Sequence, residues 1–468
     1  METNKRQIEM NLNDQGYTYV FEAKEEMVTK VPSKFRRTVW QVLPSICGIM
    51  LCLPYGIMLG WPSPTYPTLI SPKSPVWISP DQSAMVAGFL MIGNTVGTPF
   101  SSIRRLSAKF GIVIGACLMT IGWILMWEAK DIYYLLGSRF LIGAGNGFGL
   151  GQLKYYISEI CQDSLATLLT KQINLCVFAG VMVAFAYGPF VDFRQFSIIS
   201  TIVSILVLFL AIFLPSTPRE LVKCGKTTAA KKLIAFLSPQ LDVGDEMGKI
   251  KERINVVDTS WGYCDVLKRP KLRKNFAIFA LLVFFQQFSG IPSTIVYSQI
   301  IFTASHCPRP ELCALLYSFV YLLANVYGIF CVPNLNKKRV ILFSSVGVSL
   351  LLVVKIIVIV EKANDVFWSY TSLVVLLLYN AVHTVGLGNI PFTLIPELFP
   401  KEANRVVVHF FIMFHSMLAL TITKIFQVMY FNIGLFSPFC LFLAISTFSI
   451  VFVIIFVPNK RNKAIENT

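Results

Sequence analysis

The sequence has few charged residues. Only 14% of its 468 residues are Asp, Glu, Lys or Arg, whereas 55% are hydrophobic. Soluble domains carry about 25% charged residues, so this composition excludes an ordinary soluble protein and is typical of a chain that crosses a membrane several times. Residues 1–39 are polar, and we therefore expect no cleaved signal peptide. The first apolar run then directs membrane insertion itself.

Acidic residues are scarcer than basic ones, and the formal net charge is +16. Such a charge by itself suggests nucleic acid as a partner, but its distribution argues for another cause. If the N-terminus is cytosolic, 31 Lys and Arg residues fall in inner segments and 5 in outer loops, the remaining five lying within or at the ends of apolar segments. This bias predicts that both termini are cytosolic. Nucleic acid is not predicted as a partner.

The sequence also lacks the spacings of a metal site or an enzyme. Its 11 cysteines include no C-x-x-C pair, and no nucleophile–base pattern or metal-ligand spacing occurs. The stretch "GAGNGFG" is similar to a phosphate-binding loop, but it lies in an apolar segment and is better interpreted as close helix packing. We predict no enzyme, cofactor or metal. Cys307 and Cys313 share an outer loop, and a disulfide and two free thiols are both open alternatives.

What is abundant is apolar sequence, arranged in segments of about the twenty residues that a helix needs to cross a bilayer. A basic central loop separates the sixth segment from the seventh, and "TTAAKKLIAFLSPQ" within it predicts a short amphipathic helix. The domains are therefore predicted as a tail (1–39), a six-helix bundle (40–214), the central loop (215–274), a second six-helix bundle (275–457) and a tail (458–468). The twelve spans are predicted at 40–61, 83–103, 110–127, 132–153, 172–190, 195–214, 275–302, 312–333, 340–360, 367–395, 406–430 and 435–457.

The two bundles carry corresponding marks. Arg105 and Lys338 are 233 residues apart, Glu159 and Glu397 are 238 apart, and the prolines of "FLPSTPREL" and "FVPNKRNK" are 243 apart. A nearly constant offset indicates a duplication. Two parallel six-helix repeats are the architecture of major facilitator transporters, which bind substrate near the middle of the membrane between the repeats.

Six motifs in a fixed order resemble the sugar-porter family of the major facilitator superfamily, most closely its insect facilitated trehalose transporter-like members. The resemblance covers about Gly56 to Glu466 and implies an all-α polytopic membrane protein with twelve spans in two pseudo-repeats. The motifs are "LGWPSPTYPTL", "SRFLIGAGNGFG…YYISEI", "PSTPREL", "QQFSGI", "GLGNIPF…PELFP" and "TKIF".

The polar stretch "QQFSGIPS" interrupts the seventh span, and the resemblance implies that it lines the substrate path. Gln286 and Gln287 would hydrogen-bond sugar hydroxyls, since amides both donate and accept. Gly290 and Pro292 are expected to break the helix, which is tolerated where the freed backbone lines a cavity. The alternative is a structural kink packed against neighbouring helices.

Four further substrate positions are altered relative to the family. Asn174 stands where the family usually has Gln, and Phe392 replaces a Trp that stacks on the sugar ring. In span eleven, His415 and Ser416 replace an Asn-Trp pair. His415 is either a hydrogen-bonding group facing the cavity or a satisfied intramembrane histidine, and we favour the first because titratable groups in spans seldom face lipid.

The resemblance also implies a gating network of charges at the cytosolic helix ends, and several acids of that network are missing. Arg104 stands where the family has Asp. Ala166 and Asn404 stand where the family has the Arg partners of Glu159 and Glu397. We hypothesise a weakened inner latch that favours the inward-facing state. Arg139 matches the span-four Arg of the family and is expected to be paired inside the bundle. The predicted members are Arg105, Arg139, Glu159, Arg219, Arg339, Glu397 and Arg405.

Coupling to protons is not predicted. Coupled sugar porters place an Asp in span one, but "LPYGIMLGW" has no carboxylate, and no Asp or Glu lies in the core of a predicted span. The predicted function is facilitative uniport of a hexose or trehalose by alternating access, by a monomer in the plasma membrane whose partners are the sugar and the lipid. The alternative is a transport-impaired homologue that acts as a substrate sensor or scaffold, which the altered gate favours.

Overall fold

A computed structural model describes residues 34–72, 74, 76–101, 106–237, 242–255, 268–331, 335–361 and 366–457, and these residues form helices and connecting turns without a strand. In the first part of the chain the helices are α1 (Lys34–Ile49), α2 (Cys52–Gly60), α3 (Pro62–Leu69), α4 (Pro80–Phe100), α5 (Ala108–Trp127), α6 (Ile132–Ile160), α7 (Asp163–Tyr187) and α8 (Phe193–Ile212). The short helices α9 (Pro218–Lys223), α10 (Thr227–Leu237) and α11 (Val243–Asn255) follow.

The second part of the chain repeats this order of long helices with more interruptions. Its helices are α12 (Pro270–Phe288), α13 (Ile291–Val296), α14 (Ser298–Ala304), α15 (Pro310–Phe330), α16 (Lys337–Val360), α17 (Val366–His383), α18 (Ile390–Thr393), α19 (Ile395–Leu398), α20 (Lys401–Asn432) and α21 (Phe436–Phe456). A π-helical turn, Thr384–Gly388, joins α17 to α18.

Ten helical segments of the described chain are long and apolar enough to cross a membrane. At the positions of the other two predicted spans lie α4 and α6, which have 21 and 29 residues. These two helices are less apolar than the rest because they contain many glycines together with buried polar side chains such as Asn94, Arg139 and Asn146. The all-helical fold predicted from the sequence is confirmed, and the protein is a multi-pass integral membrane protein.

Glycines bring α4 and α6 into direct backbone contact. A Cβ atom on Gly143 would lie 2.1 Å from the carbonyl oxygen of Leu90, and one on Gly93 would lie 2.1 Å from that of Phe140. Both distances are far inside van der Waals contact, so only glycine permits this approach. The interpretation of "GAGNGFG" as close helix packing is therefore confirmed.

The first six long helices and the last six form two bundles that meet along two helix pairs. One pair is α4 with α20, and the other is α7 with α15. Within the bundles, α6 packs on α4 and α5, and α16 packs on α17 and α21. This arrangement leaves a cavity between the bundles. The domain bounds given above stay a prediction.

The central-loop helices mark one end of the molecule. The predicted amphipathic helix is present as α10, whose Ala230 and Ile234 form a small apolar cluster with Met247 of α11. The side-chain amide of Gln41 in α1 donates to the Leu237 carbonyl over 3.2 Å and attaches this layer to the bundle. We call the end of the molecule where α9–α11 lie the central-loop end, and the opposite end the far end.

Two predicted spans are interrupted in ways that matter for the site. The seventh is divided at Gly290, which has a φ of +105° between α12 and α13. This break was expected from Gly290 and Pro292. The tenth, predicted at 367–395, is divided into α17, the π turn, α18 and α19. Pro391 lies in the first turn of α18, where a missing N–H costs little.

Candidate functional site

A cavity of about 450 Å³ lies between the two bundles, a size that suits a small organic solute. Its wall is unusually rich in side chains that both donate and accept hydrogen bonds. The amides that line it are Asn94, Asn146, Asn174, Gln286, Gln287, Asn325 and Asn389; the hydroxyls are Tyr55, Tyr321, Thr384, Ser416 and Thr423; the imidazoles are His383 and His415. The described residues that line it include no Asp or Glu.

The five substrate residues predicted from the sequence lie around this one cavity. Gln286 and Gln287 are 5% and 4% exposed at the C-terminal end of α12, and Asn174 on α7 lines the same cavity. The rings of Phe392 and His415 form an edge-to-face pair with centroids 5.8 Å apart. The structure therefore places all five together, and their binding of substrate stays a prediction.

The break in the seventh span fixes the position of Gln286. Its side-chain amide donates a hydrogen bond to the carbonyl oxygen of Gly388 in the π turn, and its main-chain carbonyl lies 3.2 Å from Nε2 of His383. At Gly290, a Cβ atom would lie 2.4 Å from the ring of Phe442, so the turn needs glycine for space as well as for its positive φ. The interrupted seventh span is thus joined to the interrupted tenth span by the hydrogen bonds of Gln286.

Two oxygen atoms of the glutamine pair have no hydrogen-bond partner among the residues that the structure describes. These are Oε1 of Gln286 and Oε1 of Gln287, both buried in the cavity wall. A buried polar atom without a partner costs about 1–3 kcal/mol, and a solute hydroxyl that donates to it would remove that cost. The pair therefore holds two unpartnered acceptors in side chains that line the cavity.

A hydrogen-bonded chain that the sequence analysis missed crosses from one bundle to the other. The Asn146 amide donates to Oδ1 of Asn94 over 2.9 Å, and the Asn94 amide donates to Oγ of Ser416 over 2.9 Å. The available signal was the position of each asparagine within a glycine-rich apolar stretch, "MIGNTVG" and "GAGNGFG". An amide among small residues marks a place where helices approach closely.

Arg139 lies in the cavity wall and not at a helix end. It is 1% exposed; its guanidinium donates to Sδ of Met58 at 3.7 Å and to the carbonyl oxygen of Ala87 at 3.5 Å. It also lies 5.2 Å from the centre of the Trp61 ring, a cation–π contact. Its partners inside the bundle are thus a thioether, a carbonyl and a ring, and not a carboxylate.

Two ion pairs lie at the central-loop end. Arg219 of α9 pairs with Glu159 of α6 at 3.4 Å, and Lys337 of α16 pairs with Glu397 of α19 at 2.8 Å. The first pair joins the central loop to the first bundle, and the second joins two helices of the second bundle. The sequence analysis did not anticipate Lys337, whose position at the start of α16 gave no signal beyond its charge.

The other predicted gate residues at this end are exposed or lie outside the described residues. Arg339 is exposed, and its main-chain N–H is capped by the Asn336 side chain at 3.4 Å. Arg105 and the side chain of Arg405 lie outside the described residues. Partial burial lowers the pKa of Lys223 beside this cluster, and the charge of Arg219 acts in the same direction.

Hydrogen bonds join the two bundles at the far end. The hydroxyls of Ser63 and Ser298 lie 2.6 Å apart, and those of Ser83 and Tyr297 lie 2.9 Å apart. The Tyr66 ring packs on the Tyr297 ring with centroids 5.8 Å apart. Because these groups are buried and lie on both bundles, they close the cavity towards the far end. We call these five residues the far-end seal.

A second group of contacts extends the closure. The Gln427 amide of α20 donates to Oδ1 of Asp81 over 3.0 Å, and Nζ of Lys424 donates to the Asp81 carbonyl over 3.1 Å. Nearer the central-loop end, where α4 ends beside α20, Oγ of Ser101 lies 3.1 Å from Nε2 of His409. Ion pairs between the bundles do not occur among the described residues.

A buried lysine lies away from the cavity. Lys355 of α16 is 1% exposed, and its ammonium donates to Oγ of Ser305 at 3.2 Å and to the hydroxyl of Ser372. It also lies 5.7 Å from the centre of the Phe439 ring. Its charge is therefore held by hydroxyls and a ring near the far end.

Cys307 and Cys313 lie close to this lysine as two buried free thiols. Their side chains are hydrogen-bonded to each other, and Sγ of Cys307 also lies 3.6 Å from the carbonyl oxygen of Ser369. The hydrogen bond from Cys313 lowers the pKa of the Cys307 thiol and the charge of Lys355 lowers it further, whereas burial acts in the opposite direction.

Comparisons with known proteins agree with this architecture. Residues 40–468 match the family model described as "Sugar (and other) transporter". The chain is 26% identical over 446 residues to the facilitated trehalose transporter Tret1 of Drosophila willistoni, covering 92% of this chain and 51% of that protein. It is 24% identical over 441 residues to the solute carrier family 2, facilitated glucose transporter member 8 of Bos taurus, covering 88% of this chain and 90% of that protein.

Solved structures show the same fold. The inward-open conformation of the xylose transporter XylE from E. coli matches with a TM-score of 0.74 at 16% identity, covering 91% of this chain and 98% of that chain. The chain spans about half the length of the facilitated trehalose transporters Tret1 of Drosophila willistoni and Drosophila yakuba, at 51% of each. At this identity the structural match establishes the fold alone.

Proposed function

The chain belongs to the sugar (and other) transporter family, and from that premise we propose that it carries a sugar across the membrane by uncoupled, facilitative transport with alternating access. The observation that carries the proposal is the pair of unpartnered glutamine oxygens in a cavity lined by seven amides. A polyol has many hydroxyls and needs groups of this kind. A hexose or trehalose is the proposed substrate. The protein is a transporter and not an enzyme in this proposal.

The contacts of Arg139 favour uniport over proton coupling. Proton-coupled transport needs a group that binds and releases a proton within the membrane, commonly a carboxylate. Here the guanidinium faces Met58, and the described residues that line the cavity include no Asp or Glu. The route therefore lacks the usual proton carrier.

The far-end seal supports alternating access. It closes one end of the cavity through hydrogen bonds between short hydroxyl side chains such as Ser63 and Ser298. Such contacts separate at a modest cost, since each net hydrogen bond contributes about 0.5–1.5 kcal/mol. By the positive-inside rule, the central-loop end is cytosolic, both termini are cytosolic, and this arrangement faces inward. We further propose that the protein acts as a monomer in the plasma membrane.

A second candidate is a sensor or scaffold that has kept a transporter fold. The two ion pairs described at the central-loop end favour it, because neither joins the first bundle to the second and so neither is a latch between bundles. A protein that rests in one state would bind substrate without carrying it. Flux and binding must therefore be measured together.

The test is uptake of radiolabelled glucose and trehalose into vesicles that contain the purified protein. The double variant Gln286→Ala/Gln287→Ala removes both cavity acceptors, and Gln172→Ala on α7 is the matched control, since Gln172 is not among the residues that line the cavity. Saturable uptake without a pH gradient, lost in the double variant and kept in the control, supports facilitative transport. Binding without uptake would favour the sensor.

A further inference from the structure

Three polar side chains in the cavity wall form a chain of hydrogen bonds that has a direction. Asn146 of α6 donates to Asn94 of α4 over 2.9 Å, and Asn94 donates to Ser416 of α20 over 2.9 Å. All three residues line the cavity and are at most 6% exposed. Buried polar groups are costly unless they are hydrogen-bonded, so the atom at the open end of this chain needs a partner.

The second bundle fixes the orientation of both amides. Oγ of Ser416 donates its single proton to the main-chain carbonyl of Ile412 over 3.0 Å, so it accepts the hydrogen bond from Asn94. The nitrogen of the Asn94 amide therefore faces Ser416, and its oxygen faces Asn146. The nitrogen of the Asn146 amide then faces Asn94, which leaves the Asn146 oxygen as the open end of the chain.

This oxygen is accessible from the cavity. Oδ1 of Asn146 accepts no hydrogen bond from the described residues, and it is not one of their fully buried polar atoms without a partner. Because Asn146 lines the cavity, a molecule in the cavity can donate to this atom. Hydrogen bonds in a chain polarise one another, so the oxygen at the end of the chain is a stronger acceptor than that of an isolated amide.

Close helix packing holds Asn146 in place. A Cβ atom on Gly147 would lie 2.4 Å from the main-chain oxygen of Asn94, and one on Gly145 would lie 2.7 Å from that of Gly115. The residues on either side of Asn146 thus pack α6 directly on the backbones of α4 and α5. Since the backbone has little room to move here, the Asn146 side chain is preorganised for binding.

We propose that Asn146 is a specificity-determining residue whose Oδ1 atom accepts a hydrogen bond from one hydroxyl of the transported solute. The solute is then a neutral polyol that meets an acceptor on the first bundle as well as Gln286 and Gln287 on the second. Through Asn94 and Ser416, the bound hydroxyl is connected to both bundles. This inference rests on the proposed transport function and adds to it a contact that the sequence analysis did not assign.

An acceptor at the end of the chain rejects solutes that cannot donate to it. Fluorine is similar in size to a hydroxyl group but carries no proton. A solute with fluorine at this position therefore displaces water from Oδ1 of Asn146 without replacing its hydrogen bond, which lowers affinity. The affinity for that analogue should be about two- to tenfold lower than for the unmodified sugar.

The test is a double-mutant cycle between the protein and the solute. Competition binding to the purified full-length protein is measured for glucose, for trehalose and for analogues of each in which one hydroxyl at a time is replaced by fluorine. In the parent protein at least one fluorine should lower affinity about two- to tenfold, and in Asn146→Ala the same fluorine should cause no loss. The ratio of sugar affinity to analogue affinity isolates this contact, because a purely structural effect of the substitution lowers both affinities together.

Two further variants complete the comparison. Ser416→Ala removes the hydroxyl that orients Asn94 and should reduce the same ratio, so it keeps the test valid if Asn146→Ala does not fold. Asn275→Ala is the matched control, since the Asn275 amide on α12 donates to the Leu398 carbonyl over 2.7 Å and Asn275 is not one of the described residues that line the cavity. The control should leave the ratio unchanged.

The outcomes separate the two proposals. A ratio that is the same in Asn146→Ala as in the parent protein for every fluorine overturns the role of Asn146 and leaves sugar transport intact. If Asn146→Ala does not fold, an unchanged ratio in Ser416→Ala has the same consequence. Absence of both binding and uptake for glucose and trehalose contradicts the proposed function itself.

Discussion

The hydroxyl groups of Ser63 and Ser298 lie 2.6 Å apart although the residues are 235 positions apart in the chain. Ser63 lies on α3 in the first bundle and Ser298 begins α14 in the second, and both are buried. Two small side chains therefore allow the bundles to touch at the far end. Space at this point determines whether the cavity is closed.

We predict that Ser298→Trp opens the far end, because an indole does not fit between two buried serine positions. A cysteine placed at Thr423 in the cavity wall, in a background without reactive native cysteines, should become accessible to a membrane-impermeant maleimide applied from the far end. The control is Thr303→Trp on the same helix, where the side chain is exposed. Unchanged labelling in a folded Ser298→Trp protein would contradict the role of the seal.

The two glutamines should differ when each is replaced alone. Gln287→Ala removes an unpartnered cavity acceptor, so affinity for the solute should fall roughly two- to tenfold with little change in thermal stability. Gln286→Ala should lower affinity and also lower the melting temperature, because the Gly388 carbonyl loses its donor. Competition binding and thermal unfolding in detergent measure the two effects. An equal loss of thermal stability in both variants would contradict the structural role assigned to Gln286.

Much of this site was predictable, and the reason is chemical. Polar amides in an apolar span are expensive unless they face a cavity or are packed as a kink, so "QQFSGIPS" predicted the broken helix, and the resemblance to the sugar-porter family assigned both glutamines to the cavity. Asn174 was predicted from the resemblance to the sugar-porter family, whereas the cost of a titratable group that faces lipid favoured a cavity position for His415. Long apolar runs likewise determined the all-helical fold.

What the sequence could not provide was the matching of partners from distant segments. The pairing of Asn94 with Asn146 and Ser416 depends on how two glycine-rich helices cross. The pairing of Lys337 with Glu397 depends on the break that creates α19, which apolar periodicity does not reveal. Contacts of this kind are set by three-dimensional packing and not by spacing along the chain.

Close packing of α4 on α6 predicts a strong effect of a single methyl group. Gly143→Ala would place a Cβ atom 2.1 Å from the Leu90 carbonyl oxygen, so the backbones must separate, and stability should fall by about 1–3 kcal/mol or more. Gly137→Ala on the same helix is the control, because its Cβ would meet only the end of the Leu125 side chain at 3.1 Å. Thermal unfolding of both variants in detergent gives the comparison. Similar melting temperatures would contradict the backbone contact.

We predict that restoring an Asp at position 104 strengthens the inner latch at the central-loop end. Arg104, which lies outside the described residues, stands where the sugar-porter family has Asp. Since neither of the ion pairs described at that end joins the two bundles, Arg104→Asp should strengthen the inner latch and lower the accessibility of a cavity cysteine from the central-loop end. Lys226→Asp, at an exposed position of the central loop, makes the same change of charge as a control. If both variants label like the parent protein, the hypothesis of a weakened latch is wrong.

Oxidation should join Cys307 to Cys313. Their thiols are hydrogen-bonded to each other, and the lowered pKa of Cys307 increases the fraction of thiolate, which is the form that attacks a disulfide. With oxidised glutathione as the oxidant, the Cys307 thiolate would form a mixed disulfide, and Cys313 would then displace glutathione to close the bond. The measurement is peptide mass spectrometry of the 307–313 region, where the bond removes two hydrogens.

Lys355→Met should slow the reaction, because it removes the charge that favours the thiolate, and Cys313→Ser should stop it at the mixed disulfide. Two thiols that stay free at oxidising potential would exclude a disulfide at this position.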